Sequence, residues 1–284
     1  MPPNLSSDDV KRPVERATDH PWFERLARFG YVAKGVVYFV VGLLAAQVAL
    51  GIGGRTTDSQ GALQTIVTQP FGQILLALVA VGMIGYALWR FTEALLDPEH
   101  SGEENSAKKI AQRLGYAISG LIYSGLAITA IQLIAGSSNS GGNSNSTQDW
   151  TARVLAQPFG QWLVGLAGIA VIGSGIYQIY KALKGKFRGE LKWQQMSSKE
   201  KTWMTRAGKF GITARGIVFG IIGIFLIQAA LQSDASEVKG FGEALATIAQ
   251  QPFGRWLLGI VAFGLIAFSI YSVMQGKYRR IPTS

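Results

Sequence analysis

The chain has 284 residues, of which 48% are hydrophobic and only 15% are charged. Soluble domains carry about 25% charged residues, so this composition excludes an ordinary soluble domain and favours a membrane protein. The net charge of +10 does not indicate nucleic acid as a partner, because the Lys and Arg residues fall in the gaps between apolar runs. The chain has no cysteine, which excludes disulfides, thiolate catalysis and iron-sulfur clusters.

Three internal repeats organise the sequence. The tetrapeptide Gln-Pro-Phe-Gly occurs at 69–72, 157–160 and 251–254, each time at the start of an apolar run. A second apolar run precedes each copy and carries an aligned basic residue, two glycines and a glutamine. These marks are Arg28, Gly30, Gly35 and Gln47, then Arg113, Gly115, Gly120 and Gln132, then Lys209, Gly211, Gly216 and Gln228. Two apolar runs in each of three repeats predict six membrane spans.

The predicted elements follow in chain order. The first 29 residues have no apolar core, so we expect no cleavable signal peptide. The predicted spans are 31–50, 71–89, 116–135, 159–180, 212–231 and 253–273. We divide the chain into a polar tail (1–24), repeat 1 (25–97), a cytoplasmic linker (98–107), repeat 2 (108–184), a basic cytoplasmic linker (185–202), repeat 3 (203–275) and a C-terminal tail (276–284).

The distribution of basic residues predicts the orientation. The two tails and the gaps after the second and fourth spans contain 23 of the 27 Lys and Arg residues, and the other three gaps contain four. The positive-inside rule therefore places both termini in the cytoplasm of a bacterial plasma membrane. Every repeat then enters from the same side, which predicts an all-α bundle with a pseudo-threefold axis along the membrane normal.

The segments at the outer side have two features of their own. Pro70, Pro158 and Pro252 are predicted to start helices, because the first helical turn has no partner for the missing N–H. Apolar residues at helical spacing precede each proline and predict short amphipathic helices on the outer membrane surface, with a re-entrant pore segment as the alternative. Their apolar positions are Leu63, Ile66 and Val67, then Trp150, Val154 and Leu155, then Phe241, Leu245 and Ile248. The Ser/Asn/Gly-rich loop 136–148 is predicted to be disordered.

Small residues four apart in the odd-numbered spans are typical of close helix packing in membranes. Gly216 and Gly220 form such a pair, and we expect their joint replacement by leucine to lower thermal stability. Lys34 and Arg215 occupy equivalent positions in their spans, with Ser119 in the middle repeat. We interpret both cations as interfacial anchors that extend toward the headgroups, against the alternative of a functional charge inside the membrane.

No constellation for catalysis is found in the sequence. The two histidines, His20 and His100, lie in cytoplasmic segments, and no Asp or Glu lies in the middle of a span. Glu93, beside Arg90, is interpreted as part of an interfacial ion pair. We therefore assign no catalytic, cofactor-binding or metal-binding residue, expect no cofactor, and predict that the protein is not an enzyme.

With these residues in view, the chain resembles the bacterial membrane family called domain of unknown function 1206. The resemblance rests on the segment Arg-Phe-Gly-Tyr-Val-Ala-Lys-Gly-Val-Val-Tyr at 28–38, on Gln-Pro-Phe-Gly at 69–72 and on their counterparts, and it extends from about residue 25 to residue 275. It implies three copies of a two-helix membrane module and no established activity. Repeat 2 departs from the pattern at Ser119, which lacks the basic side chain.

Two functions from different classes are compatible with the sequence. The first is a structural or interaction role in the lipid bilayer, with anionic lipid at the cytoplasmic face or a partner subunit. Its basis is the run of ten basic residues between Lys181 and Arg215, which either bind anionic lipid weakly or only set the topology. The second is a channel for a small neutral solute along the pseudo-threefold axis, lined by Gln47, Gln132 and Gln228. Whether the bundle centre is packed or hollow distinguishes the two.

The orientation can be tested with single cysteines, because the native chain has none. Cysteine at Ser140, in the outer loop, should react with an impermeant thiol reagent in intact cells, whereas cysteine at Ser284 should react only after the membrane is opened. The reverse pattern would overturn the predicted orientation.

Overall fold

The computed structural model describes residues 20–96, 106–136 and 145–281. The α-helices are α1 (Pro21–Leu50), α2 (Ser59–Val67), α3 (Gly72–Leu96), α4 (Ser106–Ile134), α5 (Asn145–Leu155), α6 (Gly160–Leu183), α7 (Ser198–Gln232), α8 (Phe241–Ala249) and α9 (Gly254–Tyr278). Short 3-10 turns cover Lys186–Glu190, Trp193–Gln195 and Ala235–Glu237. The six helices α1, α3, α4, α6, α7 and α9 are long and apolar enough to cross a membrane, which confirms the predicted six spans.

The long helices extend beyond the predicted spans at the end of the bundle where α1 begins and α9 ends. Helix α7, for example, begins at Ser198, although the apolar run begins at Ile212. Ser197 and Glu200 form a capping box there, in which each side chain accepts a hydrogen bond from the other residue's backbone N–H. Hydropathy detects only the part of a helix that lies in lipid, so the polar first turns of such a helix are missed.

The six long helices form a ring in chain order. Neighbouring helices pack in the pairs α1–α3, α3–α4, α6–α7, α7–α9 and α9–α1, so the last helix closes onto the first. The fold is thus an all-α bundle of three tandem two-helix repeats about a pseudo-threefold axis. Helices α4 and α6, the two long helices of repeat 2, make no comparable contact with each other in the described part of the chain. The ring is therefore open at repeat 2.

The first aligned glycine of each repeat explains why the two long helices pack closely within repeats 1 and 3 but not within repeat 2. A Cβ added at Gly30 would lie 2.6 Å from the backbone nitrogen of Tyr86, on α3 of the same repeat. A Cβ added at Gly211 would lie 2.4 Å from the backbone nitrogen of Phe268 on α9. In repeat 2, a Cβ at Gly115 would meet nothing within 4 Å. The small residue allows a close helix contact within repeats 1 and 3, and this contact is missing in repeat 2.

The second aligned glycine lies at the contact between successive repeats. A Cβ at Gly35 would meet α9, one at Gly120 would meet the ring of Phe91 on α3, and one at Gly216 would lie 2.8 Å from the carbonyl oxygen of Gly175 on α6. All three inter-repeat contacts are therefore close. Each odd-numbered span carries two glycines because it approaches two neighbours.

The predicted pair Gly216 and Gly220 does lie at the contact with α6, since a Cβ on Gly175 would be 2.6 Å from the carbonyl oxygen of Gly216 and 3.2 Å from the nitrogen of Gly220. A Cβ on Gly220 itself, however, would meet nothing within 4 Å. The glycines of α7 that leave no room for a side chain are Gly216, against Gly175, and Gly223, against Gly168. Glycines seven apart on one helix return to the same face after two turns, which a spacing of four over a single turn does not reveal.

The Gln-Pro-Phe-Gly tetrapeptide is a tight turn and not a helix start at proline. Gly72 donates its N–H to the carbonyl of Gln69 at 2.8 Å, and Pro70 is the second residue of that turn. Phe71 has φ +59°, a left-handed conformation that is uncommon for a residue with a side chain. The two other copies have the same hydrogen bond and the same positive φ. The helix begins at the glycine, where any Cβ would collide with the carbonyl of Ile66.

The three short helices cover the outer end of the bundle. In α2 and α8 the predicted apolar residues Leu63, Ile66, Leu245 and Ile248 are buried against the long helices. The prediction that these faces lie on the membrane surface is therefore wrong for repeats 1 and 3, whereas Trp150 of α5 is exposed. Within the loop predicted to be disordered, residues 137–144 lie outside the described residues, and α5 already begins at Asn145.

The basic linker between α6 and α7 folds across the end of the bundle at which α1 begins and α9 ends. Phe187 and Leu191 are fully buried there. Leu191 forms an antiparallel bridge with Arg279 after α9, and Arg280 donates its N–H to the carbonyl of Glu190. The linker is thus an ordered cap, which joins the end of repeat 2 to the end of repeat 3.

Ion pairs hold this cap in place. The Glu190 carboxylate pairs with Arg279 and with Lys181 at the end of α6. Burial raises the pKa of Glu190, but the attraction of these cations outweighs it and lowers the pKa from 4.5 to about 2. The ionised carboxylate is therefore the stable form in the folded protein.

The glycine contacts predict unequal effects of leucine on one helix. Gly223→Leu should lower the thermal unfolding temperature in detergent by roughly 5 °C or more, because a Cβ there would lie 2.7 Å from the carbonyl oxygen of Gly168. Gly220→Leu is the matched control and should change this temperature little. Equal effects would show that the α6–α7 contact is not as close as described.

The cap predicts a pH-dependent stability. Glu190→Gln should lower the free energy of unfolding at pH 7 by on the order of 2 kcal/mol. The native carboxyl contributes stability fully above about pH 4.5 and loses it as the pH falls toward about 2, since its folded pKa is depressed. Unfolding in neutral detergent followed by circular dichroism from pH 7 to pH 3 should show this decline in the native protein. The decline should be smaller in Glu190→Gln, whereas the control Glu237→Gln should decline as the native protein does. Identical profiles for the native protein and Glu190→Gln would contradict a role of the Glu190 carboxylate in this pH dependence.

Candidate functional site: buried cations and a basic cleft

Aromatic rings fill the centre of the bundle. Tyr86 on α3 contacts the rings of Tyr31 at 5.0 Å and Tyr123 at 4.4 Å, and Tyr38 contacts Phe268 at 4.8 Å. Phe241 of α8 packs on Tyr38 and closes the outer end. All these side chains except Phe241 are fully or nearly fully buried. The centre is therefore packed where the structure describes it.

Lys34 lies inside this aromatic centre. Its side chain is only 5% exposed, and its Nζ donates to the hydroxyl of Tyr86 at 3.1 Å. The ammonium also lies 5.0 Å from the Tyr86 ring centroid and 5.1 Å from that of Phe268. Tyr86 is fourteen residues after the start of α3, so this level is about 21 Å from the outer end of a roughly 30 Å core. The interpretation of Lys34 as an interfacial anchor is wrong, because the side chain points inward.

Arg215 reaches the same centre from α7. Its guanidinium carbon lies 4.8 Å from the ring centroid of Phe219, 5.1 Å from that of Phe268 and 5.5 Å from that of Tyr38. Its Nε is buried without a hydrogen-bond partner in the described part of the chain. An attraction of about 0.5–2 kcal/mol to an aromatic face is smaller than the several kcal/mol that burying an ion costs. The Arg215 side chain is only partly buried, but its guanidinium faces these rings, which is not the outward direction of an interfacial anchor.

Glu93 belongs to a buried network and not to an interfacial pair alone. Its carboxylate accepts from Arg90 at 2.6 Å, as the sequence suggested, and also from Arg279 at 3.1 Å. Glu93 is 1% exposed, and Arg279 is 3% exposed. The network continues from Arg279 to Glu190 in the cap. It neutralises Arg90 and Arg279 and so joins α3 to the end of α9.

The three aligned glutamines do not meet on the axis. Gln228 donates to Glu237 at 2.7 Å, Gln47 lies beside Gly54, and Gln132 is exposed. With aromatic rings and two cations in the centre, the described bundle does not line a path for a neutral solute. In the same part of the chain, no three His, Asp or Glu side chains gather in a group that could hold a metal ion.

A shallow basic cleft of about 270 Å³ lies beside the cap, at the same end of the bundle. Three cations line it, Arg188 from the linker and Lys201 and Arg206 from the first turns of α7. The Arg188 guanidinium lies 5.2 Å from the ring centroid of Trp193, and the hydroxyls of Thr202 and Thr205 complete the lining. In residues 20–96, 106–136 and 145–281, none of the three cations forms an ion pair with a carboxylate. The arrangement is suited to an anionic group.

Other basic residues of the same segment are already engaged. Lys181 pairs with Glu190, Lys192 lies 3.7 Å from Glu24, and Lys186 lies over the ring of Tyr180. The sequence did not single out Lys201 and Arg206. Lys201 and Thr205, and likewise Thr202 and Arg206, are four apart and so are neighbours on the helix surface, which was the available signal.

Comparisons with known proteins agree with this architecture. The family model described as Domain of Unknown Function (DUF1206) matches residues 29–97, 114–185 and 210–279. The chain is 40% identical over 261 residues to the uncharacterized protein YxxB of Bacillus subtilis (strain 168), an alignment that covers 92% of this chain and 93% of the relative. No solved structure matches significantly. The three matched segments each contain one pair of long helices, and the chain is accordingly a multi-pass membrane protein that belongs to the DUF1206 family.

Proposed function

We propose that the protein has a structural, non-catalytic role in the bacterial plasma membrane, and that its cytoplasmic end binds anionic phospholipid. Both termini then lie in the cytoplasm. The observation that carries this proposal is the cleft lined by Arg188, Lys201 and Arg206, whose charges no described carboxylate neutralises. The headgroup phosphate of an anionic lipid supplies the missing charge.

The surroundings of the cleft support a lipid as its ligand. Trp203 is 63% exposed on α7 next to the cleft, and Trp22 is 55% exposed at the start of α1. Indole rings prefer the headgroup level of a bilayer, so these residues favour a cleft that lies at the inner membrane surface. Cytoplasmic leaflets carry anionic lipid, and each nearby Lys or Arg contributes about 1 kcal/mol of attraction.

The ordered cap also favours a structural role. The linker buries Phe187 and Leu191 against the bundle and pairs with Arg279. These contacts hold the ends of repeats 2 and 3 together. The folded backbone of the linker supports a lasting role for this segment over one in which its charges act only during insertion. The channel alternative gains no support, since the glutamines that would line it are spread over separate contacts.

The lipid role can be tested with a charge-matched pair of variants. Replacing Arg188, Lys201 and Arg206 by glutamine should weaken the binding of short-chain phosphatidylglycerol to the purified full chain roughly 100-fold, because about 3 kcal/mol of attraction is lost. The control replaces Lys184, Lys199 and Lys209, three exposed basic residues of the same segment, by glutamine and should retain binding. Titration followed by native mass spectrometry measures both. An equal loss in the two variants would show that the charges act only diffusely.

A further inference from the structure

The two cations in the bundle centre lie close together. Lys34 Nζ and the guanidinium carbon of Arg215 each lie 5.1 Å from the ring centroid of Phe268, so they are no more than about 10 Å apart. Arg215 is also the charged group that acts most strongly on Lys34. Two like charges at this separation repel each other, and the repulsion is strong because the surroundings are apolar.

No described anion compensates this pair. Neither Lys34 nor Arg215 forms an ion pair with a carboxylate in the described residues, and Glu93 is already shared by Arg90 and Arg279. The Tyr86 hydroxyl that accepts from Lys34 also accepts from Arg90 at 2.8 Å, so it is not an exclusive partner. Ionisable residues inside a membrane bundle pair with one another or mark a ligand site. The centre therefore lacks one negative charge.

The opening at repeat 2 gives access to this position. Between neighbouring long helices in the described part of the chain, the α4–α6 boundary is the one without close packing, so it is the lateral route from the bilayer to the centre. The Arg215 side chain is only partly buried, whereas Lys34 is 5% exposed. Ser119 takes the equivalent position on α4, so repeat 2 contributes no third cation. A Cβ added at Gly173, on α6, would also meet nothing within 4 Å.

The two helices beside the opening carry exposed apolar side chains. Leu121 and Ile122 of α4 and Leu166 and Ile169 of α6 are all more than half exposed. A hydrated ion crossing such a surface would lose its water, whereas a molecule with a hydrocarbon chain would not. The ligand that fits both the walls and the cations has an apolar chain and one acidic group.

We propose that Arg215, with Lys34, binds the acidic group of an anionic amphiphile that enters from the bilayer between α4 and α6. The shared chemistry is a carboxylate or phosphate on an acyl chain, which a fatty acid or an anionic phospholipid supplies. The guanidinium donates to the acidic oxygens, and Lys34 contributes the second positive charge. This site is separate from the cytoplasmic cleft and does not depend on it.

The test uses the full chain, purified in neutral detergent and depleted of lipid. Oleate and lysophosphatidylglycerol are the anionic probes, and lysophosphatidylcholine and inorganic phosphate are the controls. Native mass spectrometry and the unfolding temperature should show saturable binding of at least one anionic amphiphile and of neither control. Binding of oleate alone, or of lysophosphatidylglycerol alone, identifies the acidic group. Equal binding of inorganic phosphate would overturn entry from the bilayer.

Three variants locate the site. The three cleft residues Arg188, Lys201 and Arg206 are replaced by glutamine in every protein of this series, because the cleft is itself proposed to bind anionic lipid. In this background, Arg215→Gln should bind the anionic amphiphile at least 10-fold more weakly, whereas Ser119→Ala, at the equivalent position of repeat 2, should leave binding unchanged. Gly173→Cys carrying a bulky maleimide should block binding with Arg215 intact, which keeps the test valid if Arg215→Gln does not fold. Undiminished binding by Arg215→Gln, or by the blocked Gly173→Cys protein, would overturn the proposal. Loss of amphiphile binding in the background itself, with Arg215 intact, would overturn it too and would assign the amphiphile to the cleft.

Discussion

Close approach of helix backbones at glycine is the interaction on which this fold depends. In a bilayer, apolar side chains gain little by leaving lipid for another helix, so association relies on packing and on polar contacts. Each odd-numbered span meets this need with two glycines five residues apart, which lie on different faces. In repeats 1 and 3, the first glycine allows contact with the helix that follows in the same repeat. In all three repeats, the second allows contact with the preceding repeat, or with the last one in the case of α1. These contacts arrange the six long helices as a ring that is open between α4 and α6.

The polar groups inside the ring follow from this geometry. Helices that pack at glycine leave aromatic side chains to fill the centre, and the faces of those rings are the partners available to Lys34 and Arg215. At the end that carries the cap, carboxylates are present, and both Glu93 and Glu190 pair with Arg279. In the middle, Lys34 and Arg215 have no carboxylate partner among the described residues. The middle and the basic cleft are therefore the two places where cations are available to an anionic ligand.

The architecture could be predicted from the sequence because each repeat is recognisable from short-range features. The apolar runs, the glycine marks and the charge asymmetry are all readable without long-range contacts. The direction of a side chain depends on long-range contacts and cannot be read from such features. Lys34 was therefore interpreted as an anchor, although its side chain points inward. The pairing of Glu190 with Arg279 joins residues 89 apart, which no local pattern reveals. Pro70 was placed at a helix start because both a helix start and a tight turn tolerate its missing N–H.

The closure of the ring has a consequence for the order of assembly in the cell. Arg28, at the start of α1, donates to the carbonyl of Gly276, 248 residues later, at the end of α9. Ribosomes add about 5–20 residues each second, so this contact waits roughly 12–50 s after Arg28 is synthesised. During that interval the face of α1 that carries Gly35 and Gly42 has lipid or the insertion machinery as its neighbour. Helix α1 is therefore among the last of the six long helices to acquire its full set of partners. A ribosome that stalls before α9 is synthesised leaves a bundle in which the α9-binding face of α1 is still exposed.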